Sequence, residues 1–276
     1  MNTIKKHVLF LNIFFILIIF YHIYLYSIED HFTIWNNLYG IVTSFVPMYG
    51  GIFGLLSIRK FKKDSLVSKA ILLLSISAVF YGVATLTWGL VATFTHDDLP
   101  YPSISDLFYT VYYFIAGAGA LLLLKIYSLR FNSKVFLQFL GILIISGYIT
   151  FHFLGLPGFD NSDPYTSIFD TFYVLGDFFL FAITLIALLI AGGKMTKSIL
   201  FLVISFTTQI IGDFFFLYMI ENDLFWDGSY GDFFFTLSGL TLSIGIIYLV
   251  RDFYLNRNTS PQSITQYPKT QEVTNQ

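Results

Sequence analysis

Lysine and arginine occur in this chain only near its two ends and in every second loop between eight apolar runs. Basic residues cross membranes poorly and stay in the cytoplasm, so this pattern predicts that both termini are cytoplasmic. It also places the four loops without lysine or arginine outside. The basic residues are Lys5, Lys6, Arg59, Lys60, Lys62, Lys63, Lys69, Lys125, Arg130, Lys134, Lys194, Lys197, Arg251, Arg257 and Lys269.

The apolar runs are long enough to cross a membrane as helices. Hydrophobic residues make up 56% of the 276 positions and charged residues only 12%, and about 20 apolar residues span the hydrocarbon core as a helix. We therefore predict an all-α polytopic membrane protein with a membrane domain over 1–254 and a disordered cytoplasmic tail over 255–276. The predicted spans lie near 8–28, 35–57, 70–94, 104–128, 135–156, 167–191, 198–220 and 230–250.

Composition also bears on the class of function. A net charge of −2 gives no support for nucleic-acid binding, so the lipid bilayer is the expected surrounding. Cysteine is absent, and we see no pairing of a nucleophile with a base. No short spacing of histidines and acids indicates a metal site. We therefore expect neither an enzyme nor a cofactor, with histidines such as His22 in core or interfacial positions.

A short motif opens each even-numbered span. It consists of Ser or Thr, two residues, Asp or Asn, one residue, Leu or Phe, and then Tyr or Phe. Recurrence every 62–70 residues predicts four helical hairpins related by duplication. The motif also has a purely structural interpretation, because a hydroxyl three residues before a carboxylate is typical of a helix start. The copies begin at Thr33, Ser103, Ser167 and Ser229.

Small residues and a proline mark the second span. Gly50, Gly51 and Gly54 predict a close approach of another helix. Pro47 predicts a kink.

Two acids lie too deep in their spans to be helix caps. By helix rise, Asp177 lies near the middle of the sixth span and Asp213 in the outer half of the seventh. Asp170, Tyr173 and Asp177 share one helix face, at i, i+3 and i+7. Gln209 and Asp213, four residues apart, share another. Buried acids need partners or functions, so we predict that the two stripes meet inside the bundle. The alternative is a protonated acid that donates to a backbone carbonyl.

Three further residues complete the candidate ligand-binding set. Asp106 and Tyr109 belong to the motif of the fourth span, and His152 lies in the outer half of the fifth.

The stretch Leu99–Tyr109, with its sequence LPYPSISDLFY, resembles one found in multi-pass membrane regions of bacterial and archaeal signalling proteins. These regions precede diguanylate cyclase (GGDEF) or kinase domains. The resemblance continues through Asp170, Tyr173 and Asp177 to Asp213. It implies a sensory role, and here nothing after Tyr254 corresponds to an output domain.

Our first hypothesis is a stand-alone membrane sensor with an outward-facing acidic pocket for a small ligand or cation. A cytoplasmic signalling partner would then contact the basic segment Arg59–Lys69. Two alternatives remain open from the sequence: a transporter of protons, cations or small solutes, and a non-catalytic subunit of a membrane complex.

Overall fold

The protein is an all-helical bundle over the residues described by a computed structural model, which are 2–62, 64–95, 101–126, 133–154, 164–191 and 196–259. A short 3-10 helix, Ile58–Lys60, follows the second helix. The helices are α1 (Asn2–Ser27), α2 (Ile34–Ser57), α3 (Leu66–Thr95), α4 (Ile104–Ile126), α5 (Ser133–Leu154), α6 (Pro164–Ala191), α7 (Thr196–Glu221) and α8 (Tyr230–Thr259).

Length and composition make this a multi-pass membrane protein. Within the described residues, seven helices are long and apolar enough to cross a membrane, namely α1–α4 and α6–α8. The predicted all-α membrane class is thereby confirmed. The crossing of α5, the side of the termini and the duplication of hairpins stay predictions. Helix α8 continues to Thr259, and the rest of the predicted tail, from residue 260, lies outside the described residues.

Six helices close into a ring. Contacts run from α2 to α3, α4, α6, α7 and α8 in turn, and α8 contacts α2 to complete the ring. Helix α1 packs outside it against α8 and α2, and α5 packs outside it against α6. Because α1 keeps apolar side chains such as Leu17 and Phe20 exposed, its outer face suits contact with lipid.

The ring is filled with side chains at the end where α2 finishes and α3 begins. Leu74, Leu123, Leu202 and Leu249 belong to one buried cluster drawn from four helices. The Tyr81 hydroxyl also donates to the Phe235 carbonyl at 2.7 Å and so joins α3 to α8 across the ring. Among the described residues, side chains therefore close this end of the ring.

The close helix approach predicted for the second span is confirmed at Gly50. A Cβ atom there would lie 2.4 Å from Ser243 Cα in α8, which is far inside van der Waals contact. The Ser243 hydroxyl donates to the Val46 carbonyl at 2.7 Å. Pro47 lies inside α2, which stays helical from Ile34 to Ser57.

The helix-start interpretation of the repeated motif is also confirmed at two of its copies. Asn36 Oδ1 accepts hydrogen bonds from the backbone N–H and the hydroxyl of Thr33, at 3.3 and 2.7 Å. Asp106 Oδ2 accepts the same pair from Ser103, at 2.5 and 3.0 Å. Such bonds satisfy backbone groups that a helix start leaves unpaired. The even-numbered helices α2 and α4 therefore begin where the motif predicts.

Candidate functional site

A cavity opens inside the ring at the end where the even-numbered helices begin. Its empty volume is about 850 Å³, which includes the part open to solvent. All six helices of the ring contribute to its wall, together with residues that precede α4 and α8. The described lining residues are Tyr39, Gly40, Thr43, Pro47, Tyr81, Thr85, Trp88, Tyr101, Asp106, Tyr109, Tyr113, Tyr173, Gln209, Asp213, Phe216, Phe225, Asp227, Asp232, Phe235 and Thr236.

The wall is acidic and aromatic. Its four carboxyl groups belong to Asp106, Asp213, Asp227 and Asp232, and no lysine or arginine occurs among the described lining residues. Ten of the lining side chains are aromatic. In a low-dielectric site, negative charge without a basic partner favours a bound cation or a bound proton.

Asp106 has two functions in the structure. Its Oδ2 atom accepts the Ser103 bonds at the start of α4. Its Oδ1 atom accepts a 2.6 Å hydrogen bond from the Tyr173 hydroxyl of α6. The carboxylate therefore both begins one helix and links it to the next helix of the ring. The Asp106 side chain is 3% exposed, so its bonds to Ser103 and Tyr173 are buried within the cavity wall.

A second tyrosine–aspartate hydrogen bond joins the same two helices, with its donor at the start of α4 and its acceptor in α6. The Tyr101 hydroxyl, just before α4, donates to Asp170 Oδ1 of α6 at 2.6 Å. Together with the Tyr173–Asp106 bond, it joins the starts of α4 and α6 reciprocally. Asp170 itself does not line the cavity, so its contribution to the site passes through Tyr101.

The predicted meeting of the two polar stripes is present in the structure. Tyr113 of α4 donates to Asp177 Oδ1 at 2.6 Å and approaches Asp213 Oδ2 at 3.4 Å. Both carboxyl groups therefore lie close to one hydroxyl. Since two carboxylates close together in a buried site repel, the pair needs a bound proton or a cation.

Asp177 and Asp213 occupy different positions relative to the cavity. Asp213 lines it, whereas Asp177 does not and lies behind the wall. Both residues border a narrow crevice between α6 and α7 that has no room for a water molecule. Asp177 is 1% exposed, and its Oδ2 atom has no hydrogen-bond donor among the described residues. The alternative of a protonated acid that donates to a backbone carbonyl stays a prediction.

The remaining candidates divide into two groups. Gln209 and Tyr109 both line the cavity, as does Tyr173. Gln209 is 3% exposed, and its Oε1 atom accepts no hydrogen bond from the described residues. The side chain of His152 in α5 lies outside the described residues.

Several wall residues were not predicted from the sequence, although a signal for some of them exists. Tyr113 follows Asp106 by seven residues, as Asp177 follows Asp170. Thr43 follows Asn36 by the same interval, so i, i+3 and i+7 after each motif mark one inward face. Trp88 and Asp227 had no such signal, because their position depends on the fold.

Asp227 and Trp88 meet where α3 ends and α8 is about to begin. Trp88 Nε1 donates to Asp227 Oδ1 at 2.8 Å, and Asn36 Nδ2 donates to the Asp227 carbonyl at 3.2 Å. Burial raises the pKa of the Asp227 carboxyl to about 6, and the Trp88 bond opposes that rise. The nearby Asp232 carboxyl accepts the Gly228 N–H at 2.7 Å.

This raised pKa predicts a pH dependence of stability. The folded protein binds the Asp227 proton more tightly than the unfolded chain, where the ordinary value is 3.8. The protonated Asp227 carboxyl therefore contributes its full stabilisation at pH values below 3.8. This stabilisation is lost as the pH rises through about 6. Asp227→Asn keeps an acceptor for Trp88 and removes the charge. We expect it to melt about 2–6 °C above the wild type at pH 7.5.

Scanning fluorimetry in detergent at pH 4.5 to 7.5 measures this difference. Comparing the variant with the wild type at each pH removes the contribution of those carboxyl groups that do not interact with Asp227. The two melting temperatures should converge toward pH 4.5. A constant difference across the range would show that Asp227 does not titrate there.

The fold and the cavity define a multi-pass helical membrane protein with an acidic, aromatic internal site. Comparisons with known protein families, with characterised proteins and with solved structures find no match to this chain. Among the described residues, no group of three or more His, Asp or Glu is arranged to hold a metal ion.

Proposed function

We propose that this protein is a membrane sensor that binds a small ligand or a cation in the acidic cavity. The cavity faces the outside, and a separate cytoplasmic partner reads its occupancy at Arg59–Lys69. The observation that carries the proposal is a cavity with four carboxyl groups and no lysine or arginine among the described lining residues. The sequence resemblance to sensory membrane regions supports the same role.

The distribution of charge supports the orientation. The cavity lies where α2 begins, and the basic segment follows the other end of that helix. The described lysines and arginines lie near helix ends remote from the cavity, as Lys69 in α3 and Lys125 in α4 illustrate. By the positive-inside rule, that end belongs to the cytoplasm.

A physical connection supports the route of the signal. Helices α2 and α3 both line the cavity, through residues such as Thr43 and Thr85. Their remote ends are joined by the short basic connection 58–65. Because packed helices move as rigid elements, a ligand that changes the separation of α2 and α3 in the cavity changes this connection as well.

The absence of cysteine from the chain allows a direct test. Thr236→Cys places one thiol in the cavity wall, and membrane-impermeant methanethiosulfonates are added to the outside of right-side-out vesicles. We expect the trimethylammonium reagent to react at least about tenfold faster than the sulfonate reagent, because an acidic cleft concentrates cations. Ser57→Cys, at the other end of α2, is the matched control and should not react from outside.

Signal transmission is measured on the same labelled protein. Trypsin cleaves after the basic residues of Arg59–Lys69, and its rate there should change when Thr236→Cys carries the reagent. An unreactive Thr236→Cys would contradict the proposed binding site. An unchanged cleavage rate would contradict the sensory route.

Transport of protons or cations is the second candidate, and the closeness of the Asp177 and Asp213 carboxyl groups to one Tyr113 hydroxyl favours it. A transporter exposes its site alternately to both sides of the membrane. Labelling of Thr236→Cys by reagent enclosed inside the vesicles would therefore favour transport. Labelling from outside alone favours the sensor.

A further inference from the structure

We propose that the ligand of this cavity is a protonated amine with an apolar body, held by its N–H groups against Asp213, Asp232 and Gln209. The inference rests on the proposed function and names the class of ligand. Among the described residues, most hydroxyl donors of the cavity wall already bond to the protein, whereas several acceptors remain available. The rest of the wall is largely aromatic.

The hydroxyl protons of the cavity tyrosines are mostly committed to the protein. Each phenol has one proton to donate, and four of the six lining tyrosines give it to a fixed acceptor. The bonds, of 2.6 or 2.7 Å, run from Tyr81 to the Phe235 carbonyl, from Tyr101 to Asp170, from Tyr113 to Asp177 and from Tyr173 to Asp106.

A fifth tyrosine is committed by the same reasoning. The Thr85 hydroxyl donates to the Tyr81 carbonyl at 3.1 Å. Its bond of 3.0 Å with the Tyr109 hydroxyl therefore takes the proton from Tyr109. The indole N–H of Trp88 is likewise used, by Asp227 at 2.8 Å. These groups have few protons left for a ligand.

Acceptors, in contrast, remain available. Gln209 lines the cavity, and its buried Oε1 atom accepts no hydrogen bond from the described residues. The carboxyl groups of Asp213 and Asp232 line the same space. A buried acceptor without a donor costs free energy, so a ligand that brings N–H donors and positive charge is favoured over an anion or a hydrogen-bond acceptor.

The aromatic wall accounts for the rest of the ligand. Trp88, Phe216, Phe225 and Phe235 line the cavity, and ring faces attract cations as well as apolar groups. A hydrated inorganic cation would make little use of these rings.

Two sources could supply this ammonium group, a free amine and the ethanolamine headgroup of a phospholipid. A headgroup also brings a phosphate, which the four carboxyl groups disfavour, so the free amine is the better fit. Nanodiscs of phosphatidylglycerol alone contain no ammonium group, and addition of phosphatidylethanolamine introduces the second source.

The test is calorimetric titration of the full chain in phosphatidylglycerol nanodiscs with 2-phenylethylamine and its neutral analogue 2-phenylethanol. We expect the amine to bind at least about tenfold more tightly than the alcohol, and Asp213→Asn to weaken the amine by at least about tenfold. Asp232→Asn is a second variant with the same expected direction. Asp252→Asn in α8, buried but outside the cavity wall, is the matched control and should bind normally.

Each outcome decides the class of ligand. Equal affinity for amine and alcohol, or retention of amine affinity in both cavity variants when they melt normally, would overturn the inference. So would tighter binding of potassium than of the amine. Loss of amine binding on addition of phosphatidylethanolamine supports the ammonium chemistry and identifies the lipid as its source. No binding of either probe to a cavity that labels from outside would reject the amine and leave the proposed function standing.

Discussion

Replacing Gly50 with alanine is expected to lower the free energy of unfolding by about 2–4 kcal/mol. The added methyl group would lie 2.4 Å from both Cα and Cβ of Ser243 in α8. A backbone atom cannot move aside as a flexible side chain can, so α2 and α8 must separate. Both helices belong to the ring and line the cavity, so the separation also opens the site.

Gly147→Ala in α5 is the matched control for this change. It makes the same substitution in a helix, at an exposed position where an added Cβ has nothing within 4 Å. Alanine is the better helix former, so this variant should be as stable as the wild type or slightly more stable. Unfolding in mixed SDS micelles measures both variants. Equal stability of the two would show that the α2–α8 approach is not tight.

The Tyr113→Phe variant is expected to lose about 1–3 kcal/mol of stability, the typical cost of leaving a buried polar group without its hydrogen bond. Its hydroxyl donates to Asp177 Oδ1 at 2.6 Å, and the other oxygen, Oδ2, has no donor among the described residues. Removing the hydroxyl leaves a buried carboxyl group with reduced hydrogen bonding. Asp213, whose carboxyl group also approaches this hydroxyl at 3.4 Å, is affected as well.

The adjacent residue provides a matched control. Tyr112 is fully buried, and its hydroxyl has no hydrogen-bond partner among the described residues. Tyr112→Phe should therefore stay within about 0.5 kcal/mol of the wild type or be more stable. Equal losses from the two variants would mean that ring packing, and not the bond to Asp177, determines the effect of Tyr113→Phe.

The membrane class could be predicted from the sequence because it depends on length and composition alone. A span needs about 20 apolar residues whatever its neighbours are, and seven helices of the described part of the chain meet this requirement. The positions where helices begin could be predicted for the same reason, because they depend on residues close together in the sequence. Asn36 and Asp106 fold back on hydroxyls three residues earlier, so no contact with another helix was needed to predict them.

The candidate site was predictable only in part. Periodicity placed Asp177 and Asp213 on inward faces of their helices, since lipid exposure of an acid is costly. It could not identify Tyr113 as the group between them. Nor could it assign Asp227 to the cavity, because that residue reaches Trp88 across 139 positions of the chain.

The sequence by itself determined that the chain forms apolar helices, where several of them begin, and which helix faces carry polar groups. These properties follow from the rise of a helix, the thickness of the bilayer and short-range hydrogen bonds. Only the tertiary structure decided that α2, α3, α4, α6, α7 and α8 close into a ring around one cavity. The physical reason is that ring closure depends on side-chain packing between distant segments, such as Gly50 against Ser243, which no local pattern encodes.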